Sequence, residues 1–316
     1  MFDLALPAER WDEHGLGGAA AVDGDRAFVT PPDDQPVALG AALAWASRQG
    51  VSELHLLVAP TDAAGSLAAV ARRASAFARP PVVWRIEGTG ASRVEPAPPD
   101  PILVPPPSTA EQVLLLEQAG VDVVVEEGQV IGELRGLEVA RVVVDEDGTP
   151  RLEVGVGRFD REAFALLHGD LAPPDALARA VQLVGDLRRA GGEPHPVNRI
   201  ARERWLRHQV VASPGLVGAS ELRPADAARP RAGLREAGVA VALGRRPDGR
   251  SLVVACSVGI DLEAVPDAAD ARLRHDADAD LVLVVPPRDA HPVTRDLAAM
   301  LAHPAEVIAV EGEWPP

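Results

Sequence analysis

The two ends of the chain repeat one another. Glu53-Leu-His-Leu-Leu-Val-Ala-Pro-Thr-Asp62 matches Asp280-Leu-Val-Leu-Val-Val-Pro-Pro-Arg-Asp289 at a shift of 227 residues. The same shift, without a gap, sets Asp34 on Asp261 and Ala41-Ala42 on Ala268-Ala269. Three residues then drop out, and Ile86-Glu-Gly88 meets Val310-Glu-Gly312. Alanine matches are cheap in this chain, so the weight rests on the strand patterns and the aspartates. A repeat of this size implies one supersecondary unit used twice.

Each copy reads as strand, helix, strand, helix, strand. The first copy is expected at 27–30, 37–48, 54–58, 63–78 and 82–86; the second at 252–257, 264–275, 281–285, 292–302 and 306–310. Runs such as Leu281-Val-Leu-Val-Val285 are apolar without alternation, as in strands buried on both faces of a parallel sheet. The expected class is therefore α/β: internally duplicated β-α-β-α-β units with mainly parallel sheet, plus a central hairpin and helical segment. Proline clusters divide the chain. Residues 1–94 form the N-terminal α/β repeat and 95–107 (EPAPPDPILVPPP) a proline-rich linker. Residues 108–222 hold the central segment with a basic helix, 223–235 a loop, and 236–316 the C-terminal α/β repeat.

Composition excludes several chemistries. All 31 Lys+Arg residues are arginine and tyrosine is absent. That removes the phosphate-loop lysine, the Schiff-base lysine and any tyrosine nucleophile. The net charge of −16 disfavours nucleic acid and anionic membrane as partners. The acidity is uneven: residues 186–250 hold 13 arginines against 7 acids. This basic stretch is read as packing against acidic flanks of the same chain, with nucleic-acid binding through 186–250 as an alternative. The single cysteine, Cys256, lies in an apolar strand pattern and permits no disulfide within the chain. Residues 1–9 lack the apolar run of a signal peptide, and no stretch is long enough to span a membrane, so a cytoplasmic protein is expected.

Three groups of residues are candidates for chemistry. Around Glu146-Asp-Gly-Thr149 a hairpin with a two-residue Asp-Gly turn is expected, with Val143 facing Leu152. That register puts Glu138 and Glu153 on one face, near Asp160, where three carboxylates would suit a divalent cation. The arrangement is nuclease-like, but the lysine that usually completes such a site is missing. The plainer reading pairs Glu153 with an arginine on a solvated face. The second group is a basic helix over Asn198–His208, preceded by His195. His195, Arg199 and Arg202 would grip an anionic ligand or partner, with Trp205 as a stacking surface. Alternatively, Trp205 anchors the helix while its arginines meet Glu138, Glu153, Asp160 and Glu162. The third group, Asp261, Asp289 and His291, lies beyond strand ends, where parallel sheets bind ligands. These residues would suit a metal, but are equally ordinary helix caps.

No nucleophile–base pair, phosphate loop or dinucleotide fingerprint is present. The expected function is non-catalytic binding of a small ligand or a protein, without a cofactor. The enzyme alternative is a metal-dependent hydrolase or phosphodiesterase using Glu138, Glu153, Asp160 and a divalent metal, with Arg199 or Arg202 on the substrate.

Overall fold

Helices and strands mix along the chain, and the strands of the described residues form three separate sheets. The computed structural model describes residues 11–13, 18–32, 37–59, 66–156, 171–229 and 238–315. The first sheet has the order β1 (Asp12–Glu13), β2 (Ala19–Asp23), β3 (Arg26–Thr30), β4 (Glu53–Val58), β5 (Val82–Glu87) and β6 (Gly90–Arg93). Helix α1 (Leu39–Gln49) joins β3 to β4, and α2 (Leu67–Ser75) joins β4 to β5. The last sheet has the order β11 (Glu221–Ala225), β12 (Ala240–Arg245), β13 (Ser251–Cys256), β14 (Asp280–Val285) and β15 (Glu306–Ala309). Its crossovers are α6 (Ala264–His275) and α7 (Pro292–Ala299).

Both end sheets are mixed rather than mainly parallel. β3–β4–β5 and β13–β14–β15 are parallel, but β2, β6, β11 and β12 add antiparallel neighbours. β2, β6 and β12 meet their neighbours through tight turns whose glycines, Gly24, Gly88 and Gly249, have positive φ. These strands are short and rich in alanine or glycine, so hydrophobic periodicity does not reveal them. Residues 223–225, expected to open a loop, are the second half of edge strand β11.

The unalternating run in β14 divides between two cores. Leu281, Leu283 and Val285 point into one, Val282 and Val284 into the other. The first core is shared by both ends of the chain: Ala27, Leu54, Leu56 and Val58 belong to the same cluster as Val253, Ala255 and Leu281. Between the sheets, α2 packs on α6, α1 on α7, and α1 on α6. Gly40 permits the closest approach, because a Cβ there would sit 1.9 Å from the Leu262 carbonyl oxygen. Beyond α2 and α7 the backbone of each end bonds to the other, Ala78 N to Met300 O and Ala302 N to Ala76 O, both at 2.9 Å.

The central segment is more than a hairpin. It is a four-stranded antiparallel sheet of β7 (Asp122–Glu126), β8 (Gln129–Leu134), β9 (Leu137–Val144) and β10 (Pro150–Val154). Helices α3 (Ala110–Gln118) and α4 (Pro173–Leu187) cover it through Leu116, Leu177, Ala180 and Val184, which pack with Val130, Val142 and Val154. The basic helix α5 (Arg202–Ala212) follows. Its Leu206 and Val210 enter the second core of the last sheet, beside Val254 and Cys256. The segment 95–107 has no regular structure until Pro107, and several of its residues bond to the helices beneath.

Candidate functional site

The basic helix begins later than its sequence pattern predicts. Pro196–Arg199 is a separate 3-10 turn, and Ala201 has φ +48°, which ends that turn and starts α5 in a new direction. One stripe of α5 then carries Arg204, Arg207 and His208, spaced i, i+3, i+4. Opposite them, alternation along β7 and β8 sets Asp122, Glu126 and Glu133 on one sheet face, with Asp122 directly across from Glu133. Glu133 accepts hydrogen bonds from Arg204 Nη1 at 3.0 Å and Arg207 Nη2 at 2.6 Å. Glu126 accepts from Arg204 Nη2 at 2.6 Å, and His208 Nδ1 meets Asp122. Glu133 and the Arg207 side chain are almost wholly buried. A cavity of about 60 Å³ beside this layer, bounded by Glu126, Arg204, Arg207 and Arg229, has room for little more than water. The α5 arginines meet acids, as the structural reading expects, but Glu126 and Glu133 replace the acids chosen from sequence. The spacing of Asp122 and Glu126 four residues apart on a strand, which sets both on one face, was the signal for Glu126; no such pattern marks Glu133.

Glu138 and Glu153 are held by other arginines. The hairpin loop has three residues between Asp145 and Thr149, whose backbones bond, rather than a two-residue turn. Gly148 at φ +85° closes it. Consequently Val142, not Val143, faces Leu152, and Glu153 lies across from Arg141. A register shift in β8–β9 between Gly132 and Glu133 then pairs Glu138 with Glu133. Buried Glu138 grips Arg141 through Nε–Oε1 at 2.6 Å and Nη2–Oε2 at 2.8 Å, and this hydrogen bonding raises the arginine's pKa. Arg151 lies 2.8 Å from Glu153. Asp160 and Glu162 lie outside the described residues.

The proposed gripping residues do not converge either. His195 is exposed, and its Nδ1 accepts a hydrogen bond from Val197 N, capping the 3-10 turn. Arg199 is exposed, and Arg202 lies 5.9 Å from the ring centre of Trp314. Trp205 is not a free stacking surface: it is fully buried, with the Arg188 guanidinium 4.4 Å from its ring centre. Arg188, missed in the sequence, donates to the carbonyls of Arg135, Val197, Ile200 and Ala201, and burial lowers its pKa to about 10. Other arginines of 186–250 also meet acids outside that stretch: Arg229 with Asp267, and Arg246 with Asp280 and Glu306.

Asp261, Asp289 and His291 shape turns. Asp261 Oδ1 accepts from Glu263 N at 2.9 Å, and Asp289 Oδ2 from Gly259 N at 2.7 Å. His291 is the N-cap of α7, its Nδ1 accepting from Val293 N. Among the described residues no group of three or more His, Cys, Asp or Glu side chains is arranged to hold a metal. Cys256 is fully buried, which pushes its thiol up to about 12. No helix among the described residues is long and apolar enough to cross a membrane.

An open groove lies instead between α1 and α7, a feature that sequence periodicity does not reveal because it depends on how the two ends dock. It encloses about 470 Å³ over Ala44, Leu262, Val293, Leu297 and Met300. Its rim carries Ser47, Arg48, His291 and Asp296, all exposed. Ile260, 58 % exposed, stands at its edge. An apolar floor with a few polar groups at the edge suits binding rather than bond cleavage. Comparison with known protein families, curated proteins and solved structures finds no match.

Proposed function

We propose that this chain is a non-catalytic binding protein whose docking surface is the groove between α1 and α7. The observation that carries the reading is the contrast between this groove and the charged residues elsewhere. Glu126, Glu133, Glu138 and Glu153 are joined to arginines, whereas the groove presents apolar side chains around open space. Its volume lies within the range of ligand sites, and its rim offers both charges.

We infer further that the groove arises from duplication of an α/β unit. The shift of 227 carries β4, Glu53–Val58, onto β14, Asp280–Val285. With three residues lost after β4 the shift becomes 224, so that 227 for His55 and 224 for Val82 together carry the β4–β5 pair His55↔Val82 onto Val282↔Glu306. The same 224 relates Phe77 to Leu301, which face each other in a β-bridge where the two ends meet. A contact between matched residues is what a two-fold relation between copies produces.

Fragment binding followed by nitrogen–proton correlation spectra tests the reading. Small apolar fragments are expected to perturb α1 and α7, and Ser47→Trp, which fills the open side, to abolish the perturbation. Fragments that bind only elsewhere would overturn it. So would magnesium- or manganese-dependent cleavage of a phosphodiester that Glu153→Gln abolishes.

A further inference from the structure

The fold contains a second groove, between α2 and α6, and the chain fills it with its own proline-rich segment. Ala97 N donates to Ala68 O at 3.0 Å. Arg72 Nη1 donates to Pro98 O at 2.7 Å, and its Nη2 lies 3.4 Å from Asp100 Oδ2. Arg274 Nη2 donates to Pro101 O at 3.1 Å, while His275 and Arg274 Nη1 hold the carbonyls of Asp226 and Ala227. An extended strap over 97–101 is thus fixed mainly through its backbone, with the exposed Asp100 at the edge of the buried pair that Arg72 makes with Asp270 of α6.

The residues that hold the strap correspond to residues that line the open groove. The shift of 227 carries Ser47 and Arg48 of α1 onto Arg274 and His275 of α6. The shift of 224 carries Ala68 and Arg72 of α2 onto Pro292 and Asp296 of α7. Ser47, Arg48, Pro292 and Asp296 all line the α1–α7 groove. The two helix pairs therefore offer the same kind of trough, one covered and one open. They differ in charge: the buried pair of Arg72 with Asp270 in the covered trough is replaced in the open one by the anion Asp296 and by Leu43.

We propose that the α1–α7 groove binds an extended, proline-containing peptide of a partner protein, carrying a basic side chain that meets Asp296. Proline favours the extended form and lowers the entropy lost on docking. Ile260, Val293 and Met300 cover the peptide's apolar side chains, as the groove floor requires. Arg48, whose Nε already bonds to Ala44 O, stands where His275 holds a backbone carbonyl in the covered groove. The proposal rests on the binding reading above and adds the class of ligand and the sign of its charge.

Two labelled peptides test it with the full-length chain by fluorescence anisotropy. One copies residues 95–103, EPAPPDPIL; the other carries arginine in place of Asp100. The arginine peptide is expected to bind about threefold to fivefold more tightly than the aspartate peptide, the scale of an exposed ion pair. Asp296→Arg, at an exposed position, should reverse the preference, and Ser47→Trp should weaken both peptides at least about tenfold. Circular dichroism of each variant separates loss of binding from loss of fold. Failure of the arginine peptide to saturate at about 1 mM, weaker than the scale of a useful site, would overturn the proposal. A preference indifferent to residue 296 would do the same. If the wild-type chain sediments as a dimer that Ser47→Trp dissociates, the groove belongs to a second copy and the peptide proposal falls. Fragment binding in the groove without peptide binding would remove this inference while leaving the binding reading intact.

Discussion

Glu133 takes hydrogen bonds from two guanidinium groups where little water reaches, and the three side chains stabilise one another only as a set. Removing the carboxylate leaves Arg204 and Arg207 short of a buried counter-charge, the situation in which breaking an ion pair costs most. Glu133→Ala should lower stability by about 3–5 kcal/mol, read as a fall in the urea midpoint. Arg250 makes ion pairs of similar length to Asp248 and Asp280 but is exposed. Arg250→Ala should therefore leave the midpoint within error, because surface pairs are screened and entropically costly. An equal loss in the two variants would mean that burial does not set the difference. Cys256 gives a second residue-scale reading. A thiol raised to about 12 by burial carries almost no thiolate near neutrality. Folded protein at pH 8 should not react with a disulfide reagent, whereas urea should release one thiol per chain with the unfolding transition. Reaction before unfolding would show that the last sheet opens locally.

At the scale of elements, α5 decides how the central sheet joins the last one. Its charged stripe faces β7 and β8, while Leu206 and Val210 face β12–β14. The turn between β8 and β9 brings Gly136, at φ +75°, so close that a Cβ would lie 2.2 Å from the Arg204 carbonyl carbon. Gly136→Ala adds both a strained φ and a backbone clash, so α5 must shift and the ion pairs with it. A loss of about 2–4 kcal/mol is expected, with a changed Trp205 emission as the local sign. Unchanged emission and stability would mean that α5 docks without that close approach. The sequence was informative where side chains alone decide the element. α6 runs over 264–275 as read from the pattern, and β4, β13 and β14 agree to one residue at each end. It was uninformative where turn geometry decides. β2 and β12 are built largely of alanine and small residues, and one extra residue in the Asp145–Thr149 loop changes which side chains face each other across β9 and β10. The site suffered from the same cause, because the acids nearest α5 in sequence are not those a four-stranded sheet sets against it.

For the whole molecule, the junction between the two ends holds a buried carboxyl group whose titration is pushed toward neutral pH. Glu263, at the start of α6, accepts from Gly40 N of α1 at 2.6 Å and lies 3.8 Å from Arg73 of α2. Asp261 and Asp267 stand on its own side of the junction, and Arg73 and Arg229 lie against Asp267. Burial dominates and pushes the Glu263 carboxyl from 4.5 up to about 7, with Arg73 opposing and Asp267 reinforcing the rise. Burial also raises Asp267, whose arginines pull the other way. A raised folded-state pKa means that the native protein keeps a proton which the unfolded chain has already released. The stability due to this proton is fully present below about 4.5, declines as pH rises, and is lost above about 7. The loss amounts to something on the order of 3 kcal/mol. Glu263→Gln keeps an oxygen for Gly40 N and removes the titration. Urea unfolding at pH 5 and pH 8 should show the wild-type chain losing stability across the interval, and the variant losing distinctly less. Parallel pH profiles for the two proteins would mean that the α1–α6 junction carries its carboxylate without cost, with Arg73 sufficient to hold it ionised.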